Sequence, residues 1–253
     1  MSEFRLIPVI DLKNGQVVHG KKGQRNQYQP IVSKIVSSSN PVDVAKAFWD
    51  LGLKELYIAD IDALQGKGDN LSVINDVLAK QRNQILLDIG ITSLSQLNSL
   101  IDLNIPKIIL ALETLPSEGL VQKAIEIAGN KIVMSLDMRD EKILVKCESL
   151  KGLDLINIAS IFYEIGVSEM IVLDLASVGS SEGVPFETAF ELKKELDITV
   201  LAGGGVRNLE DLILLQELEL DGCLVATALH KGTIGKEEIE LLASKKTVNK
   251  KTG

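Results

Sequence analysis

Eight short, largely apolar runs recur along the chain, separated by amphipathic stretches, and this alternation constrains the architecture more than any other feature. The runs cover residues 5–10, 55–59, 84–87, 107–110, 131–136, 169–173, 198–201 and 222–225. Most are continuously apolar rather than alternating, as expected of parallel strands covered on both faces. Helical patterns fall between them at 41–51, 71–80, 93–103, 120–128, 152–165, 186–196 and 209–217. Repeated strand-then-helix units in a chain of 253 residues predict an α/β fold, a single (β/α)8 TIM barrel, rather than an open doubly wound sheet. The domain is expected to span 1–243. The segment 244–253 carries four Lys and no core residues, and reads as a flexible basic tail.

The two halves of the chain echo one another. Asp11 matches Asp137, Asp60 matches Asp174, Gly90 matches Gly205 and Ala111 matches Ala226, at separations of 126, 114, 115 and 115 residues. Ile91-Thr-Ser-Leu94 likewise matches Val206-Arg-Asn-Leu209. The near-constant offset describes a barrel built of two half-barrel repeats.

Two strand ends in the second half carry the most chemistry. Val200-Leu-Ala-Gly-Gly-Gly-Val-Arg207 and Gly222-Cys-Leu-Val-Ala-Thr-Ala-Leu229 both pass from an apolar strand into small residues just before a helix. Small residues let backbone N–H groups approach a phosphate closely, and a barrel commonly holds phosphate between its last two strands. Gly203, Gly204 and Gly205 alone would also suit a plain tight turn. The second small-residue end, at Ala226 and Thr227, favours a phosphate site.

A net charge of −8 argues against a nucleic-acid or anionic-membrane partner, yet leaves a local phosphate grip open. Cys147 and Cys223 lack paired spacing and read as buried thiols rather than a disulfide or zinc site. No signal peptide and no bilayer-length apolar run is evident, so the default location is the cytoplasm. The polar stretch 20–40 is expected to be either a lid over the catalytic face or disordered.

Strand C-termini of a barrel project into its site. Here they offer Asp11, Asp60 or Asp62, Asp88, Asp137 and Asp174. Asp11 and Asp137 close the first and fifth strands and are expected to face each other, so that differing pKa values could make one a base and the other an acid. Each could instead cap its own loop. A hard divalent cation is the weaker alternative, because no His accompanies the carboxylates at a strand end, so no metal is expected. His19 could reach the pocket, and His230 could either assist an anion or be solvated. No Ser-His-Asp or Cys-His pattern emerges. Phe48 and Trp49, on one helical face, read as core.

The opening Ile7-Pro-Val-Ile-Asp-Leu-Lys-Asn-Gly-Gln-Val-Val18 resembles that of the histidine-biosynthesis barrels, the HisA/HisF family. Asp60-Ile-Asp-Ala-Leu-Gln-Gly66 with Asn70, Ser135-Leu-Asp-Met-Arg139, Ala202-Gly-Gly-Gly-Val206 and Ala226-Thr-Ala-Leu229 continue the likeness in order over residues 5–240. The resemblance implies acid–base catalysis by Asp residues on the first and the fifth or sixth strands, here Asp11, Asp137 and Asp174, with no cofactor. It also implies two phosphate sites, one for each end of a doubly phosphorylated substrate, and an aminoaldose-to-aminoketose rearrangement.

Three departures from the family pattern bear on that expectation. The third strand ends Asp88-Ile-Gly-Ile-Thr92 where the family reads Gly-Gly-Gly-Ile-Arg. The fourth ends Leu110-Ala-Leu-Glu113 where the family reads Gly-Thr-Ala. The sixth-strand loop, Asp174-Leu-Ala-Ser-Val-Gly-Ser180, has Val178 in place of an acid, although Ser180 still matches a phosphate-holding Thr. One phosphate site is therefore expected to persist, at Ser180, Gly204, Gly205, Ala226 and Thr227, and its twin to be lost. The expected activity is that of a HisA-like isomerase, or a related lyase, acting on a singly phosphorylated small metabolite. The alternatives are the histidine-pathway isomerase itself and a non-catalytic phosphometabolite-binding partner. Oligomeric state is left open.

Overall fold

Buried on both faces, the apolar runs pair in register into one parallel ladder. In the computed structural model, which describes residues 4–80, 84–140, 142–179 and 186–249, the barrel strands are β1 (Arg5–Lys13), β2 (Glu55–Asp60), β3 (Gln84–Asp88), β4 (Lys107–Ala111), β5 (Ile132–Arg139), β6 (Glu169–Asp174), β7 (Thr199–Gly203) and β8 (Gly222–Val225). They pair in chain order, and β8 closes on β1 through Arg5 to Pro8 opposite Gly222 to Val225. Short antiparallel strands, Gln16–Val18 and Lys142–Ile143, extend β1 and β5 beyond the barrel as hairpins.

Among the described residues eight α-helices of nine or more residues pack outside: α1 (Pro41–Asp50), α2 (Leu71–Lys80), α3 (Leu94–Asp102), α4 (Glu118–Ala128), α5 (Leu155–Ile165), α6 (Phe186–Glu195), α7 (Leu209–Glu217) and α8 (Lys236–Asn249). Their starts follow the local chemistry. Asn40 caps α1 ahead of Pro41, and Ser93 and Asn208 cap α3 and α7 through side-chain oxygens. Helix α8 has no counterpart among the periodic segments read from the sequence. It runs to Asn249, so backbone helix continues into the segment assigned to the tail, whose last residues, 250–253, lie outside the described residues.

The duplicated register is visible in the coordinates. β3 and β7 are both five residues long and 115 residues apart, as are the caps Ser93 and Asn208. Gly90 and Gly205 both adopt positive φ, 66° and 85°. In this register Asp88 stands where the second half has Gly203.

Side chains alternate strictly across the strands. Ile7, Tyr57, Leu86, Ile109, Val133, Ile171, Leu201 and Leu224 fill the barrel interior, whereas the opposite parity packs under the helices together with Phe48. Trp49, by contrast, is exposed. Cys147 and Cys223 are free and buried. At the N-terminal ends of the strands, Arg5 bonds Glu55 and Glu169, and Lys107 bonds Glu169, joining β1, β2, β4 and β6.

Candidate active site

Strand parity decides which strand-end acids enter the cavity. Asp11 follows Ile7 and Val9 on the inward face, Asp88 follows Leu86, and Asp137 follows Val133 and Ser135. All three line the cavity at the C-terminal mouth, with Tyr57 and Glu113. Asp60 and Asp174 have the other parity and do not line it.

The carboxylate of Asp60 accepts bonds from the backbone N–H of Ala63 at 3.1 Å and of Asn70 at 2.6 Å. Asn70 also donates to Asp62, 2.9 Å, which in turn accepts from the N–H of Asn14 at 2.6 Å. Asp60, Asp62 and Asn70 thus clamp the turn of the first hairpin to the loop after β2. Asp174 accepts from the N–H of Ala176, 3.0 Å, and the hydroxyl of Ser177, 2.6 Å, and so holds its own loop. Asp174, expected above among the catalytic acids, is thus engaged by its own loop and is not brought together with Asp11 and Asp137.

Burial dominates the electrostatics of the inward acids. It lifts Asp11 to about 7, with Arg25 pulling the other way and Asp88 adding to the rise. Asp137 also stands at about 7, raised by burial and by Glu113, against the hydrogen bond from the Ser135 hydroxyl at 2.7 Å. Asp88 reaches about 6 through burial, opposed by the N–H of Gly90. Tyr57, whose hydroxyl donates to Asp88 at 3.2 Å, is pushed well above its ordinary range by burial and by Asp88 and Asp137. Gly20 closes over Asp11 so tightly that a Cβ there would lie 2.4 Å from its Oδ2.

The first loop, 20–40, is ordered across this mouth. Arg25 pairs with Glu113, and Lys13 donates to the Arg25 carbonyl at 2.9 Å. At the other side, the N–H of Lys22 reaches the Val178 carbonyl, 2.9 Å, and that of Lys34 the His230 carbonyl, 2.8 Å. Arg25 and Tyr57 were absent from the sequence-based site. Tyr57 could have been found by counting parity back from Ala59. Nothing local marks Arg25, because its partner is 88 residues away.

The two halves of the mouth differ in sign. On the first-half side the N–H of Gly90 is taken by the carboxylate of Asp88, at 2.9 Å. Leu64 crowds the same spot, so a Cβ on Gly90 would lie 2.9 Å from its Cδ2. On the second-half side Gly204, Gly205, Ala226 and Thr227 line the cavity, and no side chain caps the turn beginning at Thr227. Among the described residues no protein acceptor takes the N–H of Gly205. His19 lies here too, its pKa lowered by burial and by the nearby Lys231 and Lys21. Ser180 lies outside the described residues. Also among the described residues, no group of three or more His, Cys, Asp or Glu is arranged to hold a metal ion.

Residues 5–235 match the family described as histidine biosynthesis protein. The chain belongs to that family. It is 37% identical over 239 residues to an uncharacterized protein of Methanocaldococcus jannaschii, covering 93% of this chain and 97% of that one. It is 30% identical over 242 residues to the 1-(5-phosphoribosyl)-5-((5-phosphoribosylamino)methylideneamino) imidazole-4-carboxamide isomerase of Clostridium novyi, covering 95% and 99%. The isomerase of the same name from Clostridium botulinum strain Langeland is 29% identical over 244 residues, covering 96% and 98%. The TIM barrel is the fold of this family. Among the described residues no helix is long and apolar enough to cross a membrane.

Proposed function

We propose that the protein is an acid–base isomerase of a small metabolite carrying one phosphate. The observation that carries this reading is the polarity of the mouth. Asp88, Glu113 and an internally consumed Gly90 amide lie on one side, open strand-end backbone at Gly205, Ala226 and Thr227 on the other, and the raised-pKa carboxyls Asp11 and Asp137 share the same cavity.

The relatives' name contains two phosphoribosyl groups, and the same reaction here would need an anion grip at each end. Asp88 and Glu113 oppose the second anion, since like charges a few Å apart in a poorly solvated site repel by roughly several kcal/mol. A smaller, singly phosphorylated substrate avoids that repulsion. At neutral pH, acids near 7 are partly protonated, so one of Asp11 and Asp137 can donate while the other accepts. In an aldose or aminoaldose the acid protonates the ring oxygen as the ring opens. The base removes the C2 proton, and a proton returned to C1 completes the ketose. Hydrogen moves within the substrate and solvent, with no net oxidation. The same carbon deprotonation could begin a lyase step.

The test is solvent deuterium incorporation into a panel of singly phosphorylated aldoses and aminoaldoses. Exchange at C1 or C2 is expected, abolished by Asp11→Asn and by Asp137→Asn while inorganic phosphate still binds. Exchange at the wild-type rate in both variants would remove these carboxylates from the mechanism.

A further inference from the structure

We propose that His230 donates a hydrogen bond from Nε2 to the bound phosphate, and so is a specificity residue of the anion end. The inference rests on the preceding reading that an anion binds at Gly205, Ala226 and Thr227. His230 is 3% exposed and lines the cavity. It follows Ala226 by one helical turn, its N–H bonding the Ala226 carbonyl at 3.2 Å. Helical side chains lean towards the N-terminus, which tilts this imidazole back towards Ala226 and Thr227.

The two ring nitrogens of His230 have different surroundings. Nδ1 lies 2.9 Å from the Ser33 hydroxyl oxygen. That oxygen also accepts the backbone N–H of Ile35 at 3.2 Å, and a hydroxyl can in addition either donate its hydrogen to Nδ1 or accept from an Nδ1–H. We assign the first arrangement, in which Nδ1 accepts and the ring proton resides on Nε2, where an anion would meet it. Nε2 is buried and has no hydrogen-bond partner among the described residues. A buried N–H without an acceptor is unfavourable, and a ligand oxygen would relieve it. Phe48 packs against the ring at 5.2 Å and the Ser33 hydroxyl lies on Nδ1, so the imidazole is held on two sides.

Burial, reinforced by His19, lowers the His230 pKa to about 4, so the donor is a neutral imidazole. Lys21 and Lys231, which act on His19, supply positive charge on this side of the mouth. Because Ser33 belongs to the first loop, the donor also ties that loop to occupancy of the anion end.

The experiment is nitrogen-15 NMR of the full-length protein titrated with inorganic phosphate, with affinities measured for wild type, His230→Leu, His230→Gln and Ser33→Ala. The free protein is expected to show the neutral Nε2–H tautomer, and phosphate to shift Nε2 together with the amides of Gly205 and Thr227. His230→Leu is expected to bind phosphate about tenfold more weakly, the loss typical of one hydrogen bond to a charged acceptor. His230→Gln, which keeps an N–H near the same place, retains most of the affinity. Ser33→Ala populates the other tautomer. Shifts at the amides with none at Nε2 would overturn the role of His230 and leave the anion site standing, even if His230→Leu fails to fold. No shift at the amides would overturn the anion site and this inference together.

Discussion

Arg25, on the loop after β1, is paired with Glu113, just beyond the end of β4, across the mouth of the barrel. The pair fills the quarter of the mouth where the duplicated register would place a twin of the Gly205 and Ala226 anion end. Asp88 completes the substitution by taking the N–H of Gly90. One half of the barrel satisfies its strand end internally, whereas among the described residues the N–H of Gly205 in the other half has no protein acceptor.

Removing the two acids should recreate the missing grip. Asp88→Gly with Glu113→Ala frees the Gly90 amide and leaves Arg25 in want of an anion. A ligand with a phosphate at each end should then bind roughly ten- to a hundredfold more tightly than to wild type, the equivalent of about 1–3 kcal/mol. Calorimetric titration with a bisphosphorylated sugar measures this, and an unchanged affinity would count against the substitution argument.

The pH dependence of turnover should be narrow and centred near neutrality. Asp11 and Asp137 both stand at about 7, so one must lose its proton as the other keeps it. A bell-shaped kcat/KM profile is expected, its two apparent pKa values belonging to the pair rather than to either residue. A rate flat from pH 5 to 9 would exclude that pairing.

Stability should move the opposite way from that of an ordinary salt-bridged acid. The folded pKa values of Asp11, Asp88 and Asp137 lie above the unfolded value of about 3.9. Between these limits the folded state holds more protons, so these groups favour folding most below pH 4 and lose that contribution as pH rises to about 7. Asp137→Asn should therefore raise the melting temperature, by more at pH 8 than at pH 5. The gain is on the order of a few kcal/mol at most. Thermal denaturation at the two pH values checks both sign and order.

Asn70 should matter for stability rather than chemistry. It donates to Asp60 and Asp62 and accepts the N–H of Gly15 at 2.8 Å. Asn70→Ala leaves buried carboxylates without their donor and should cost about 2–4 kcal/mol in urea unfolding. Loss of turnover with unchanged stability would instead place Asn70 in the chemistry.

The barrel was legible because eight buried strands leave eight continuous apolar runs, and β8 was read with its observed bounds, Gly222–Val225. The other strands run on beyond the apolar runs, as at Asp88 and Asp174, because the backbone ladder continues through polar residues. The sign difference between the halves was also legible, since Asp88 and Glu113 break a repeat that Gly205 and Ala226 keep. Asp174 was read from its position at a strand end without its parity: Ile171 and Leu173 face inward, and the Asp174 carboxylate bonds its own loop. Arg25 and the burial of His230 were out of reach, because each depends on the path of a 20-residue loop across the mouth.

The most direct test is a crystal structure of the protein grown or soaked in phosphate or sulfate. One anion bound at Gly205, Ala226 and Thr227, with Arg25 still on Glu113 and no density at Gly90 and Ala111, is the expected result. A second anion held by Gly90 and Ala111 would contradict the one-phosphate account.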